Sequence, residues 1–175
     1  MSASTAPSEY LYKSILVLFG SPHKNGHTAK LLGKYLSRLP ADADIYTFYC
    51  YDEKIAPCFG CNICKSGICV YDDLDNLREQ LENSDLLIIA TPVYNLSFPA
   101  PLKTVLDRFQ IYWAQRFLAN IKPPVKKPRD AWILGTCGSE KNEGAEIINR
   151  QLDMLFTVMN TKKTLSVFQN GTDNK

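Results

Sequence analysis

Ser14-Ile15-Leu16-Val17-Leu18-Phe19-Gly20-Ser21-Pro22-His23-Lys24-Asn25-Gly26-His27-Thr28 is the stretch whose reading decides the fold. Its first six residues are nearly all apolar, as in a central strand of a parallel sheet covered on both faces. The nine that follow are mostly small, polar or turn-forming. From Thr28 onward Leu31, Leu32, Tyr35, Leu36 and Leu39 recur at helical spacing, and Pro40 closes the segment. A strand that ends in such a loop and then opens a helix leaves backbone N–H groups unpaired and directed at one spot, which suits a phosphate. Gly20 and Gly26 allow tight backbone paths, while the Ser21 and Thr28 hydroxyls and the Asn25 amide add donors. An ordinary polar turn with His27 or Thr28 as N-cap explains the stretch equally well, so the choice falls to the rest of the chain.

Downstream, strand and helix patterns alternate. Asp44–Tyr49 predicts a mostly buried strand on the edge side of a sheet, and Asp72 and Asp73 stand where they would cap a helix carrying Leu74, Leu77 and Leu81. Leu86–Ala90 is a second wholly apolar strand, followed by Thr91–Pro101, a loop shaped by Pro92, Pro99 and Pro101. Leu102, Val105, Leu106, Phe109 and Tyr112 follow a helical repeat, with Lys103 and Asp107 four apart as a surface pair. Asn120–Arg129 is a basic, proline-containing surface connection. Asp130–Gly135 is a fourth strand ending in the polar loop Thr136-Cys137-Gly138-Ser139, Ile148, Leu152, Leu155 and Met159 mark a helix, and Thr164–Phe168 a fifth strand. Gln169–Lys175 is too short and too polar for another full helix. The alternation predicts an α/β domain: a parallel sheet with helices on both faces and right-handed crossovers.

The 175 residues suffice for one core, which places a single domain at 14–175 behind a flexible extension at 1–13. A net charge of +2 advertises neither nucleic acid nor an anionic membrane. Purely apolar runs such as Ile15–Phe19 and Leu86–Ala90 fall far short of the ~20 residues a membrane span needs. The first thirteen residues lack the pattern of a secretory signal, so the expected location is cytoplasmic and the six cysteines are expected to be reduced or to act as ligands. Four of these, Cys58, Cys61, Cys64 and Cys69, have the spacing C-x2-C-x2-C-x4-C, which allows four thiolates to gather around a soft-metal centre. Zinc suits this contiguous run less well, because structural zinc usually joins two separate ligand pairs. Plain thiols remain the simplest reading, and Cys50 and Cys137 read as ordinary small residues.

In an open parallel sheet ligands bind beyond the carboxyl ends of the strands, where the strand order reverses. The Gly20–Thr28, Thr91–Pro101 and Thr136–Ser139 loops would meet there and frame a phosphorylated planar cofactor. At these residues the chain resembles the flavodoxin-like NAD(P)H-dependent FMN reductases, including the iron–sulfur flavoproteins among them. The resemblance spans about Ser14–Phe168. It rests on the Gly20–Thr28 loop, on Cys58-Phe59-Gly60-Cys61-Asn62-Ile63-Cys64 with Gly67, Cys69 and Asp72-Asp73, on Thr91-Pro92-Val93-Tyr94, and on Lys103 followed by Asp107-Arg108. It implies a flavodoxin-like three-layer sandwich with a five-stranded parallel sheet in order 2-1-3-4-5, here without the final helix. It further implies that Ser21, His23, Asn25, Gly26, His27 and Thr28 surround the FMN phosphate, that Pro92, Val93, Tyr94 and Asn95 border the isoalloxazine, and that Thr136, Cys137 and Gly138 close its other side. Tyr94 is expected to stack on the ring or to bond near it.

Two departures stand out. The family usually has Arg at the position of His23 and often Asn or Ser at that of His27, so a titratable ring replaces a fixed charge. Free imidazole titrates near pH ~6.5 and a phosphate dianion favours its charged form, so FMN affinity is expected to weaken between about pH 6 and 8. Neutral rings bonding only through N–H would give a flat profile. The second departure, the absent last helix, leaves a surface for a partner subunit or reflects a shortened chain.

The favoured functional expectation is an enzyme passing a hydride from NAD(P)H through FMN to a small acceptor such as a quinone, nitroarene or free flavin, in a homodimer or homotetramer. An electron carrier holding a [4Fe–4S] cluster on the four cysteines, with ferredoxin as donor, is the second. A noncatalytic flavin-binding module is the third.

Overall fold

The computed structural model describes residues 12–174. The sheet contains β1 (Ser14–Phe19), β2 (Asp44–Tyr49), β3 (Leu86–Pro92), β4 (Arg129–Thr136) and β5 (Thr161–Gln169). All four pairings are parallel and the order is β2-β1-β3-β4-β5. The helices are α1 (His27–Leu36), α2 (Asp75–Asn83), α3 (Ala100–Arg108), α4 (Gln110–Phe117) and α5 (Glu143–Val158). This is the parallel arrangement expected from the alternation, in the flavodoxin-like strand order that the resemblance implies.

Side-chain alternation along β1, β3 and β4 feeds two cores. Leu16, Leu18, Leu87, Ile89, Ala131 and Ile133 pack with Leu77 and Leu81 of α2, Leu102 and Val105 of α3, Tyr112 of α4, and Leu152 and Phe156 of α5. Ile15, Val17, Ile88, Ala90, Trp132 and Leu134 point the other way, onto Leu31 and Leu32 of α1. Both faces of the central strands are therefore dry, which is why these strands are continuous apolar runs.

Several expectations need correction. The helical repeat from Leu102 to Tyr112 is two helices, since Phe109 ends α3 and precedes α4 (φ −71°, ψ 3°). β2 is an edge strand in which only Phe48 is buried, with Ile45 and Tyr49 exposed, because it has a neighbour on one side only. Asp72 and Asp73 do not cap α2, whose N-cap is Leu74 without a side-chain bond. Of the expected extension, residues 1–11 lie outside the described residues. Tyr12 belongs to the body: it is buried, its hydroxyl donates to Asp130 Oδ2 at 2.5 Å, and its ring meets Trp132 edge-on. Lys13 N–H and Ser14 N–H both donate to the Asp85 carboxylate, which also pairs with Lys127. Lys127 and Arg129, from the basic connection, therefore serve structure: the Arg129 guanidinium donates to Leu81 O near the end of α2 and to Lys127 O.

After β5 the described residues hold only a short 3-10 turn, Thr172–Asn174. Among the described residues no helix is long and apolar enough to cross a membrane.

Candidate functional site

The first loop leaves β1 through Gly20, whose N–H donates to Ala90 O at 2.8 Å and whose Cα lies against Leu102 of α3. Ser21 is buried and its Oγ accepts from His23 N–H at 3.2 Å. His23 O in turn accepts from Gly26 N–H at 3.1 Å. These two bonds wind the loop into a compact turn that delivers Gly26, in extended conformation, to the start of α1. No side chain caps this helix, and its first internal bond runs from Lys30 N–H to Gly26 O. Among the described residues the N–H groups of His27, Thr28 and Ala29 consequently have no acceptor. Neither His27 nor Thr28 is the N-cap. An uncapped helix start with three free donors and the positive end of its dipole is a seat for an anion. His23, Asn25 and His27 are exposed beside it, and Thr28 is buried beneath it.

Lys24, which the sequence reading passed over, ties this loop to the end of β2: its ammonium pairs with Asp52 and lies 4.5 Å above the Tyr49 ring. The signal was a lone loop lysine, indistinguishable in sequence from a solvated one.

The second loop begins as Pro92 ends β3. Val93 N–H donates to Thr136 O at 2.8 Å, which fastens this loop to the third. Tyr94 and Ser97 exchange two backbone bonds of 2.9 Å around Asn95 (φ 49°) and Leu96 (φ 62°), the pattern of a tight primed turn. Asparagine tolerates this left-handed region; leucine is strained there. The turn is held from behind by α5, where Gly144 lies so close to Val93 and Leu96 that a Cβ would overlap both. Tyr94 and Asn95 are thereby displayed to solvent, Tyr94 at 42% exposure.

In the third loop Thr136 is buried and its Oγ1 lies 2.7 Å from Thr28 Oγ1. The chain's own C-terminal segment runs alongside: Cys137 N–H donates to Gln169 O, Thr172 N–H to Cys137 O, and Gly171 N–H to Ser139 O. Cys137 and Gly138 are half-buried, and Gly138 leaves no space for a Cβ beside the Asp173 carboxylate. The three loops are thus mutually bonded at the carboxyl edge of the sheet, and the residues fit a phosphorylated flavin by donor supply at the first loop and by an exposed aromatic at the second.

The four clustered cysteines lie in a separate segment between β2 and α2. Left-handed Gly60, Asn62 and Gly67 fold it back on itself around the short 3-10 turn Ile63–Ser66, which packs on α4. Cys58, Cys61, Cys64 and Cys69 line one cavity of about 80 Å³ with Tyr71, Arg108 and Trp113. Burial pushes the Cys64 thiol up, and neighbouring Cys69, Cys61 and Cys58 push it further. Among the described residues, however, no group of three or more His, Cys, Asp or Glu side chains stands close enough to hold a metal ion. The four thiols are the donor type a [4Fe–4S] cluster takes, one to each of its four irons, and they border this one cavity. Cys50 is buried and its thiol is pushed up to about 12 by that burial, in keeping with a packing role.

Arg108 anchors this segment. Its guanidinium, 5% exposed, forms a forked pair with Asp73 at 2.6 and 3.2 Å, donates to Ala56 O and Tyr71 O, and lies 5.0 Å from the Tyr71 ring centre. Asp73 also accepts from Ala56 N–H at 2.9 Å. Asp73 is thus the counterion of a buried arginine. Lys103 and Asp107 form the expected exposed pair at 2.6 Å.

Comparison with known proteins agrees with this architecture. An iron–sulfur flavoprotein from Archaeoglobus fulgidus is 38% identical over 98 residues, covering 54% of this chain and 44% of that protein. One from Methanosarcina thermophila is 35% identical over 106 residues, covering 59% and 56%. The chain thus spans about half the length of these curated relatives. An azoreductase from Bacillus anthracis superposes with a TM-score of 0.66 at 14% identity, covering 93% of this chain and 88% of that one. An NAD(P)H:quinone oxidoreductase from Methanothermobacter marburgensis gives 0.64 at 17% identity, covering 90% and 83%. At such identities the likeness speaks for the fold alone. The model of the NADPH-dependent FMN reductase family matches residues 14–168, the whole span from the first residue of β1 to Phe168 in β5, and the chain belongs to that family.

Proposed function

We propose that this chain binds FMN across its three loops and passes a hydride from NAD(P)H through the flavin to a small acceptor such as a quinone, nitroarene or free flavin. The observation that carries the reading is the uncapped start of α1, where three N–H groups lack acceptors directly after the Gly20–Gly26 loop. An FMN phosphate would take those donors together with Asn25 and the hydroxyls of Ser21 and Thr28, with the exposed His23 and His27 rings beside it. The bound flavin supplies the hydride and electron chemistry. Around it, Pro92–Asn95 would border one side of the ring, with Tyr94 available to stack, and Thr136–Gly138 the other. The tight turn at Asn95–Leu96 and the backing by Gly144 hold Tyr94 in place. No general acid or base is demanded for reduction of the flavin, so the chain's task is to hold the ring and leave one face open to the nicotinamide.

FMN-loaded protein mixed anaerobically with NADPH or NADH tests the reading. Bleaching of the flavin absorbance, reversed by a quinone, is expected. Bound flavin that neither nucleotide reduces would support a noncatalytic module instead. The cavity shared by four cysteines supports a second reading, a [4Fe–4S] electron carrier accepting from a protein such as ferredoxin. Iron and acid-labile sulfide at cluster stoichiometry in anaerobically purified protein would establish it. Assembly as a homodimer or homotetramer and a cytoplasmic location also belong to this proposal.

A further inference from the structure

The Thr28 and Thr136 hydroxyls form a buried pair, 2% and 4% exposed, with their oxygens 2.7 Å apart. Each hydroxyl has one proton to donate and two lone pairs to accept. The bond between them consumes one proton, and the other has no acceptor among the described residues. Thr28 is the member that stands in the first turn of α1, between His27 and Ala29, whose N–H groups also lack acceptors. The surplus proton therefore belongs with an array of donors that all await an anion.

We propose that Thr136 is a positioning residue that makes the first loop select phosphorylated flavin: its hydroxyl donates to Thr28 Oγ1 and thereby commits the Thr28 proton to the ligand phosphate. This rests on the FMN reading above and deepens it. Hydrogen bonds in series strengthen one another in a low-dielectric setting, so a Thr28 hydroxyl that accepts from Thr136 is a better donor than one left alone. The same residue holds the neighbouring loops, since Thr136 O accepts from Val93 N–H and the following residue, Cys137, is bonded to the end of β5. Phosphate recognition at the first loop is in this way joined to the loops that frame the ring.

The test uses the flavin-free full chain, titrated with FMN and with riboflavin, which shares the ring and side chain but lacks the phosphate. Wild-type protein is measured first, and failure to bind FMN would overturn the FMN reading itself. Given binding, Thr136→Val, which keeps the side chain's shape beside the ring, is expected to weaken FMN about two- to fourfold more than riboflavin, the scale of losing serial strengthening in one hydrogen bond to a charged group. Thr136→Ser keeps the hydroxyl and is expected to restore the preference. Thr28→Val, which removes the donor itself, is expected to cost more than Thr136→Val, and the double variant no more than Thr28→Val alone. Equal weakening of both flavins, failure of serine to restore, or additive losses would each overturn the proposal and leave a structural tie between α1 and β4. Should the valine variant fail to fold, Thr136→Ala removes the hydroxyl without adding volume and carries the same comparison. Where riboflavin binds too weakly to titrate, the cycle with Thr28→Val decides on FMN alone.

Discussion

Gly20 shows how closely the anion loop is bound to the packing beneath it. A Cβ there would lie 2.6 Å from Leu102 Cδ2 and 3.0 Å from Leu102 Cβ, and Leu102 is wholly buried. Gly20→Ala must displace α3 or force Leu102 off its rotamer, at a cost of about 1–3 kcal/mol. A lower urea midpoint with weaker FMN binding is expected, and an unchanged midpoint would show that α3 yields freely. At this scale the sequence was legible where a residue acts through its own neighbours and illegible where it acts at a distance. The loop glycines, Ser21 and Thr28 could be singled out because strand, turn and helix signals are adjacent in the chain. Asp73 could not be told from a helix cap, since two acidic residues before an apolar repeat look the same whether they face a helix start or an arginine 35 positions away. The bond from Thr28 to Thr136 joins residues 108 positions apart and left no local trace.

Among the elements, the cysteine segment depends on one latch. Burial disfavours the Asp73 carboxylate, but the Arg108 guanidinium and the Ala56 N–H outweigh it and hold the acid below its usual value. A depressed carboxyl contributes stability above the unfolded value, ~4, and that contribution disappears as pH falls through the folded value. Protection of the Cys58–Cys69 amides against hydrogen exchange is therefore expected to persist at pH 5–7 and to fall only below about pH 4. Loss of protection between pH 5 and 7 would contradict the latch. Asp73→Ala leaves the guanidinium buried without a counterion, and a loss of about 3 kcal/mol is expected, the low end for a broken buried pair because Arg108 keeps two carbonyls and the Tyr71 ring. Strands were the most legible elements, since β1 and β2 have the bounds their residue patterns predict. The break between α3 and α4 was hidden because Phe109 is apolar and in phase with both helices, with neither proline nor glycine to mark it.

For the whole molecule, the topology places all three loops at one edge of the sheet, and this was readable from the alternation of patterns alone. The cover of the second sheet face was not. There α1 is joined by Tyr12, while Leu165 and Val167 of β5 remain partly buried. Tyr12→Phe removes the bond to Asp130 and is expected to cost about 1 kcal/mol by chemical denaturation, whereas Tyr12→Ala also vacates the contact with Trp132 and is expected to cost about 3–5 kcal/mol. Equal and negligible losses would place Tyr12 outside the cooperative unit. The claim on which the rest depends is that the bonded loops and the uncapped start of α1 form a flavin mononucleotide site. Titration of the flavin-free chain with FMN, followed by flavin fluorescence, tests it most directly: saturable binding of one FMN per chain, tighter than riboflavin, is the predicted result, and absence of binding, or equal affinity for the two flavins, would contradict it.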